Sequence, residues 1–296
     1  MKYVLTGGAG HITKPAAEKL LAAGQDVTII SRNAANAKGL AAKGATIAEG
    51  NIEDAAFITK TFAGADAVYL MIPPNFSPEG GWRQYQNKVA DIFVGAVKAN
   101  NIKNVIVLSS VGAHMGNGSG PVDGLADLEK KLAPLDGTNT RFLRPSYFMY
   151  NLHNMAGLIK GMNIMGANYG GTEEKLVLVH TNDIADALAE ELLQLNFKGH
   201  SIRYIASDER STDEIAAVLS NAIGKPGIPW VSFTDEQSLG GMLQAGLPQT
   251  IAEGYVALGK AIRTGEAQAD YWKNKPALGK IKLEDFAKEF AAAFYA

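Results

Sequence analysis

Short, continuous apolar runs recur along the first half of the chain, and stretches with helical periodicity separate them. The apolar runs occupy residues 4–5, 27–30, 46–48, 67–72, 104–108 and 140–143. Apolar residues at helical spacing fill 15–23 and the stretches near 34–42, 53–63, 84–100 and 122–134. Runs that are apolar throughout are typical of strands covered on both faces, as in a parallel sheet. The pattern therefore predicts the α/β class with a doubly wound parallel sheet.

The pattern changes in the second half of the chain. A glycine-rich stretch at 157–171 interrupts the alternation, and a later apolar run at 175–179 leads into a helix capped by Thr181 or Asn182. After residue 208 helical patterns dominate, at 212–222, 234–244, 250–264 and 283–294. We therefore predict a sheet domain and a smaller, mainly helical C-terminal lobe. The sheet domain spans 1–155 with 176–207 returning to it, and the lobe spans 208–296 with 156–175.

Three glycines follow the first predicted strand and precede the first predicted helix. They allow the backbone to turn sharply and to approach a pyrophosphate without an intervening Cβ atom, while the helix directs free N–H groups at the phosphates. This segment predicts a Rossmann dinucleotide site, whose contacts would come from Thr6, Gly7, Gly8, Gly10, His11 and Ile12. Thr13 occupies the usual third glycine position and should push helix and strand slightly apart. A tight turn without a ligand is the alternative interpretation.

The residues that end the second predicted strand indicate which dinucleotide binds. NAD sites usually carry Asp or Glu there to hold the ribose 2′-hydroxyl, whereas this chain has Ser31-Arg32-Asn33. No carboxylate repels a phosphate at this point, and the planar guanidinium of Arg32 is suited to clamp one. The sequence therefore favours NADP, with NADPH preferred over NADH. The alternative is that Arg32 is only a solvated charge at a strand end.

Length and composition restrict the class of protein. The 296 residues, 47% of them hydrophobic, exceed the usual size of a single core. A formal net charge of -2 without a basic cluster excludes a nucleic-acid partner, and no apolar run approaches the roughly eighteen residues that span a bilayer. The chain has no cysteine and begins without a signal peptide, which favours a cytoplasmic protein. The five histidines lack metal-ligand spacing, so no metal site is expected.

Several further segments, taken together, resemble the NmrA-like family of atypical short-chain dehydrogenases. The most specific is Leu143-Arg-Pro-Ser-Tyr-Phe-Met-Tyr-Asn151, which matches the pattern L-R-P-x-x-F-x-x-N. The other matching segments are 49–54 (E-G-N-I-E-D), 62–68 (F-A-G-A-D-A-V), 109–112 (S-S-V-G), 183–185 (D-I-A), 246–248 (G-L-P), 261–266 (A-I-R-T-G-E) and 283–286 (L-E-D-F). The resemblance covers nearly the whole chain.

This resemblance implies NADP(H) binding at the carboxyl ends of the strands. Beyond the glycine turn and Arg32, it assigns cofactor contacts to Asn51, Ile52, Met71, Ile72, Pro73, Pro74, Ser109 and Pro145. It places Tyr147, Phe148 and Asn151 beside the nicotinamide and the substrate. Ordinary core packing is the alternative interpretation for Phe148.

Catalytic residues are harder to find than cofactor contacts. Short-chain dehydrogenases use Tyr-x-x-x-Lys as a proton relay, but Tyr271-Trp-Lys-Asn-Lys275 lies in a polar tail segment, and we interpret it as coincidence. Many NmrA-like proteins have instead a Lys or His four residues before a helical Glu. If Glu129 is that Glu, Leu125 occupies the position and the cation is missing. The catalytic residues therefore stay unknown, with Ser109, Ser110 and His114 as weak candidates.

Three function classes follow from these observations. The first is an NADPH-dependent reductase of a quinone-like or other conjugated small molecule, for which a fixed acid matters least. The second is a non-catalytic NADP(H) redox sensor that acts through a protein partner. The third, a sugar-nucleotide epimerase, matches the two-part organisation and lacks the Tyr and Lys. The sequence favours the first, leaves a homodimer or another protein partner open, and indicates no membrane partner.

Overall fold

The computed structural model describes residues 1–171 and 175–296, and the predicted lobe segment 156–175 therefore includes three residues outside the described part. Within those ranges the strands are β1 (Lys2–Leu5), β2 (Asp26–Ser31), β3 (Thr46–Glu49), β4 (Ala67–Leu70), β5 (Asn104–Leu108), β6 (Asn139–Pro145), β7 (Tyr147–Phe148), β8 (Met165–Ala167), β9 (Leu176–Val179), β10 (His200–Ile205), β11 (Asp208–Arg210) and β12 (Trp230–Ser232).

Most of the helices follow the predicted periodic stretches, and two short helices, at 155–162 and 269–273, were not predicted. They are α1 (Thr13–Ala22), α2 (Lys38–Ala41), α3 (Ala55–Phe62), α4 (Trp82–Ala99), α5 (Asp123–Leu132), α6 (Met155–Met162), α7 (Thr181–Gln194), α8 (Thr212–Ala222), α9 (Asp235–Gln244), α10 (Gln249–Arg263), α11 (Ala269–Lys273) and α12 (Leu283–Tyr295). Short 3₁₀ turns occupy Ala34–Ala37, Ala113–Met115, Gly120–Val122, Met149–Asn154 and Glu266–Gln268. In the residues described, none of the helices is both long enough and apolar enough to cross a membrane.

The main sheet confirms the predicted doubly wound parallel fold. Among the described strands its order is β10-β6-β5-β4-β1-β2-β3, so the chain reverses its direction of winding beside β1. Val4 of β1 lies opposite Thr28 of β2 on one side and Val68 of β4 on the other. The edge strand β10 was missing from the prediction because residues 200–203 alternate between exposed and half-buried positions, instead of forming a continuous apolar run.

The contacts between residues divide the protein into two compact units. Unit 1 comprises residues 1–110, 124–144 and 184–203, and unit 2 comprises 111–123, 145–183 and 204–296. In unit 1 the helices α3 and α4 cover β4 and β5 with an apolar face. The rings of Phe62 and Phe93 stack there with centroids 6.5 Å apart, above the fully buried Val68 and Val105. This packing holds α3 and α4 against β4 and β5.

Unit 2 has two small sheets, ordered β11-β9-β7 and β12-β8 among the described strands, and a helical core. Phe286 and Phe290 of α12 are buried in this core. Two buried carboxylates fasten the start of α12. Asp183 accepts hydrogen bonds from the Ser207 hydroxyl at 2.6 Å and from the Ile281 N–H at 3.2 Å, and Asp208 accepts one from the Leu283 N–H at 3.1 Å. The Asp of the D-I-A segment therefore has a structural role in this unit.

Candidate dinucleotide-binding site

The glycine turn after β1 has the backbone conformation that a close approach to phosphate requires. Gly7 and Gly8 have φ values of +94° and +59°, in the left-handed region that favours glycine. A Cβ atom on Gly7 would lie 2.7 Å from both Met71 Cε and Thr13 Oγ1, and one on Gly10 would lie 3.3 Å from the Gly7 carbonyl oxygen. A side chain at position 7 would therefore collide with Met71 and Thr13, and one at position 10 would crowd the backbone of the turn itself. The turn therefore suits a bound pyrophosphate.

Thr6 ties the turn to the neighbouring strand β4. Its N–H donates to the Tyr69 carbonyl oxygen at 3.0 Å, and its buried hydroxyl accepts a hydrogen bond from the Met71 N–H at 2.6 Å. The predicted cofactor residues Thr6 and Met71 are thus held together where β1 and β4 end. The Thr6 side chain supports the turn from below, because its hydroxyl is occupied by the protein backbone.

Helix α1 begins at Thr13, two residues before the apolar helical stretch that the sequence predicted. Ile12 precedes it without a side-chain cap, and its first turn has no acidic residue. An uncapped, carboxylate-free helix N-terminus attracts an anion through its dipole and its N–H groups. His11 is exposed and Ile12 is buried. The start of α1 therefore fits the phosphate-binding role predicted for this segment.

The end of β2 presents Arg32 to solvent. Its guanidinium has neither an ion pair nor a hydrogen bond within residues 1–171 and 175–296. The flanking residues are held in place, since the Ser31 hydroxyl donates to the Asn33 carbonyl oxygen at 2.9 Å and Asn33 Oδ1 accepts from the Ala35 N–H at 2.8 Å. Glu49 is the β3 residue in register with Ser31. An ordered loop thus displays a guanidinium that is available for a ligand phosphate.

The segment after β3 forms a second wall of this half of the site. Asn51 is exposed, and its Oδ1 accepts a hydrogen bond from the Glu53 N–H at 3.1 Å, while Ile52 is buried. A Cβ atom on Gly50 would lie 2.6 Å from the Phe57 ring, so this ring packs directly on the backbone. The exposed Asn51 side chain also carries an amide N–H₂ group, whose chemistry suits hydrogen bonding to an adenine.

The loop after β4 passes over Tyr85 of α4. The Tyr85 hydroxyl donates to the Pro73 carbonyl oxygen at 3.2 Å. Burial raises the pKa of Tyr85, an effect that Glu53 reinforces and Arg32 opposes, so the hydroxyl keeps its proton. Ile72 is buried, Pro73 is half-buried and Pro74 is exposed. Sequence reasoning did not find Tyr85, which positions the predicted proline segment.

A buried polar cluster lies where β5 and β6 end, and it consists of Ser109, Glu129 and Arg144. Arg144 binds Glu129 through two hydrogen bonds, Nε to Oε1 at 3.0 Å and Nη2 to Oε2 at 2.6 Å. The Ser109 hydroxyl also donates to Glu129 Oε1. All three residues are buried. The predicted helical Glu and the Arg of the L-R-P segment are therefore partners, although fifteen residues separate them in the sequence.

The remaining catalytic candidates differ in accessibility. Ser110 is half-buried, and its hydroxyl has no hydrogen-bond partner in the part of the chain that the structure describes. Leu125 is half-buried against the apolar core of unit 1, so the side chain four residues before Glu129 is apolar. His114, in unit 2, is exposed on the 3₁₀ turn Ala113–Met115.

The predicted substrate residues form part of unit 2. Tyr147 is half-buried, and its ring meets that of Tyr169 edge to face at a centroid distance of 6.2 Å. Burial raises the pKa of Tyr147, so its phenol stays neutral. Phe148 is half-buried, Asn151 is exposed, and Pro145 is buried, with its carbonyl oxygen accepting from the Val111 N–H at 2.9 Å. This part of unit 2 thus presents aromatic and amide groups.

The Tyr-x-x-x-Lys match has a different environment from a proton relay. The Tyr271 ring is fully buried in unit 2. Its hydroxyl donates to Glu209 Oε1 at 2.7 Å, and Lys275 Nζ lies 2.8 Å from Glu209 Oε2. Burial and the carboxylate raise the pKa of Tyr271, opposite to the change that proton transfer near neutral pH requires. Across the described ranges, no group of His, Asp and Glu could hold a metal ion.

This geometry defines a Rossmann-fold protein with a dinucleotide turn, and comparison with known proteins identifies its family. Residues 7–195 match a family model described as NAD(P)H-binding. The match covers more than half of the chain, which therefore belongs to this NAD(P)H-binding family, as the sequence predicted. The crystal structure of NmrA, a negative transcriptional regulator, has the same fold, with a TM-score of 0.72 at 16% identity over 97% of this chain and 94% of that one.

Two characterised reductases are similar in sequence over most of the chain. An NAD(P)H azoreductase of Xenophilus azovorans is 25% identical over 84% of this chain and 83% of its own length. Quinone oxidoreductase 2 of Escherichia coli is 26% identical over 84% of this chain and 82% of its own length. The NADPH complex of an Escherichia coli quinone oxidoreductase superposes with a TM-score of 0.79 at 21% identity, over 97% of this chain and 99% of that one.

Proposed function

We propose that the protein is an NADPH-dependent reductase of a quinone-like or other conjugated small molecule. The observation that carries the proposal is that the glycine turn suits a bound dinucleotide, while the Tyr-x-x-x-Lys match does not form a pair that could relay a proton. Tyr271 and Lys275 both bind Glu209, and Leu125 stands at the position of the family's cation if Glu129 is the family's helical Glu. Bound NADPH supplies the hydride. A conjugated acceptor needs little further help, because water protonates its stabilised anion, whereas a sugar-nucleotide epimerase requires the missing relay.

The relatives support a small-molecule acceptor. One carries the name of an azoreductase and the other that of a quinone oxidoreductase, and each matches 84% of this chain. Both names describe the reduction of flat, conjugated molecules. In this protein Tyr147 and Phe148 would offer aromatic surfaces to such an acceptor, and Asn151 would offer a hydrogen bond.

The proposal includes a preference for NADPH over NADH. The unpartnered, exposed guanidinium of Arg32 would bind the 2′-phosphate, and α1 would receive the pyrophosphate at its uncapped start. Asn51 and Ile52 would contact the adenine side. Met71, Ile72, Pro73 and Pro74 would pass beneath the dinucleotide, with Ser109 and Pro145 toward the nicotinamide. We also propose a cytoplasmic location, on the basis of the amino-acid composition.

A redox sensor that binds NADP(H) and signals to a protein partner is the second candidate. The Tyr271 hydroxyl is bound to Glu209 and Leu125 is apolar, so neither residue provides a proton relay. These observations also favour a sensor, because a sensor needs no proton relay. Its signal would require a segment whose order differs between the NADPH and NADP⁺ complexes, and we assign this role to the glycine-rich stretch at 157–171.

A turnover assay separates these two functions. Purified protein is mixed with NADPH and, separately, with quinones, azo dyes and aldehydes, and the loss of NADPH absorbance is followed against protein-free controls. A reductase consumes NADPH steadily with at least one conjugated acceptor and not with simple aldehydes. If no acceptor is reduced while NADPH and NADP⁺ protect the 157–171 stretch differently from protease, the reductase proposal is wrong and the sensor is supported.

A further inference from the structure

The buried pair of Arg144 and Glu129 is an unusual feature for an apolar core. Both residues are less than a tenth exposed, and two hydrogen bonds of 3.0 Å and 2.6 Å join them. A buried ion pair gains little net stability over apolar residues of similar size, because both charges lose their hydration. The pair is therefore better explained by what it holds in place than by its contribution to the free energy of folding.

The group that the pair holds is the Ser109 hydroxyl. Ser109 is 3% exposed, its N–H donates to the Leu143 carbonyl oxygen at 2.8 Å, and its hydroxyl donates to Glu129 Oε1. A hydroxyl has a single proton and two lone pairs. Since the carboxylate takes the proton, the Ser109 oxygen can only accept a further hydrogen bond.

The place of Ser109 in the sheet determines which ligand atoms it faces. Ser109 directly follows β5, and the sheet order puts β4 between β5 and the glycine turn after β1. Arg32 lies on the opposite side, after β2. A dinucleotide with its pyrophosphate at the turn and its adenosine toward β2 extends its other half toward β4 and β5. Ser109 is therefore on the nicotinamide side.

We propose that Glu129 and Arg144 are positioning residues that direct the Ser109 proton inward, so that Ser109 accepts a hydrogen bond from the nicotinamide riboside half of the dinucleotide. The donor is either a ribose hydroxyl or the carboxamide N–H. Replacing the carboxylate frees the Ser109 proton to rotate, and the oxygen then no longer faces the ligand as a fixed acceptor. The inference rests on the proposed binding of NADP(H), and it does not depend on turnover.

The test compares two ligands by calorimetric titration. NADPH contains the nicotinamide half, whereas adenosine 2′,5′-bisphosphate lacks it and reports the adenosine side alone. Ser109→Ala and Glu129→Gln should each weaken NADPH binding by about five- to tenfold, the effect of one hydrogen bond, and leave bisphosphate binding within about twofold. Ser109→Thr keeps the hydroxyl and should restore NADPH binding, whereas a merely structural role of Ser109 predicts losses that are equal for the two ligands.

A third ligand identifies the donor. The 3-acetylpyridine analogue of NADPH has a methyl ketone in place of the carboxamide and so lacks the amide N–H. If Ser109→Ala no longer weakens binding of this analogue, the carboxamide is the donor. If the loss persists, the donor is a ribose hydroxyl. Either result supports the acceptor role of Ser109.

Glu191→Gln is the matched control. Glu191 is equally buried in unit 1 and binds Arg141 Nε at 3.1 Å and Arg203 Nη1 at 2.8 Å, and it has no part in the proposed site. This variant should bind both ligands like the parent. If Ser109→Ala binds NADPH with unchanged affinity, or loses affinity for both ligands equally, the role inferred for Ser109 is wrong. The proposed NADP(H) binding would not be affected by that result. A parent protein that binds neither ligand would overturn the proposed NADP(H) function as well.

Discussion

The hydroxyl of Thr13 donates a hydrogen bond to the carbonyl oxygen of Thr6 at 3.2 Å. This bond joins the first residue of α1 to the end of β1, across the base of the glycine turn. Thr13 occupies the usual third glycine position, and the sequence suggested that its bulk separates helix and strand. The structure shows the buried side chain fastening them instead. A side-chain hydrogen bond therefore closes the turn, and the close approach of Thr13 leaves no room for a side chain on Gly7.

Gly10→Val should weaken binding of NADPH and NADH together. The added side chain would begin 3.3 Å from the Gly7 carbonyl oxygen and extend into the space that the pyrophosphate needs. A steric penalty of about 1–3 kcal/mol corresponds to a loss of about five- to a hundredfold in affinity. Gly95→Val is the control, because Gly95 is exposed and a Cβ atom there meets nothing within 4 Å. Calorimetric affinities equal to the parent would show that the turn is structural only.

Arg32→Ala should remove most of the preference for NADPH over NADH. The loss of a charge-assisted pair with the 2′-phosphate, about 1.5–3 kcal/mol, predicts that NADPH affinity falls by about one to two decades while NADH affinity hardly changes. Lys43→Ala removes an exposed positive charge that is paired with Glu18 at 2.8 Å, and it should leave both affinities unchanged. Equal affinities of the parent for the two dinucleotides would contradict this assignment.

Asn151→Trp should abolish reduction of a conjugated acceptor while leaving NADPH affinity within about threefold. The indole would occupy the space proposed for the acceptor, so kcat/KM should fall by at least about tenfold, or about 1.4 kcal/mol. Asn154→Trp, at an exposed position of the same 3₁₀ turn, is the control and should keep its activity. Steady-state kinetics and a separate NADPH titration measure the two effects. Full activity in Asn151→Trp would remove Asn151 from the substrate side.

Tyr271→Phe should retain turnover within about twofold, because the phenol is committed to Glu209. Its loss leaves the carboxylate with Lys275 alone, and the free energy of unfolding should fall by about 1–3 kcal/mol. Urea unfolding and NADPH oxidation, measured on the same preparation, separate the two effects. A loss of kcat of more than about a hundredfold at unchanged NADPH affinity would make Tyr271 a catalytic residue.

Asp235 should give unit 2 an acid-sensitive contribution to stability. Hydrogen bonds from Arg263 at 2.8 Å and Asn168 at 2.9 Å lower the pKa of Asp235 from 3.8 to about 2. A carboxyl whose pKa is lower in the folded state stabilises the fold above its unfolded pKa, and the contribution disappears as pH falls from about 4 toward 2. The stability difference between parent and Asp235→Asn in urea should therefore shrink over this range. A difference that stays constant would contradict the assignment.

Local patterns were enough to predict the sheet, the glycine turn and the family. The roles proposed for Gly7, Gly8 and Arg32 depend on their own backbone or on their position at a strand end, so a short window of sequence is enough to propose them. The edge strand β10 was missed because its outer residues alternate. Long-range partners carry no such signal. The bond between Glu129 and Arg144 depends on how α5 packs beside β6, and the bond between Tyr271 and Glu209 depends on the fold of unit 2.

The interleaving of the two units along the chain affects synthesis on the ribosome. Strand β10 completes the edge of the main sheet, but residues 145–183 of unit 2 emerge before it. During translation β6 therefore remains an unpaired edge strand, a known hazard for aggregation, until its neighbour has left the exit tunnel. A fragment that ends before residue 200 would retain this exposed edge permanently. Shortened versions of the protein should accordingly include residues 200–205.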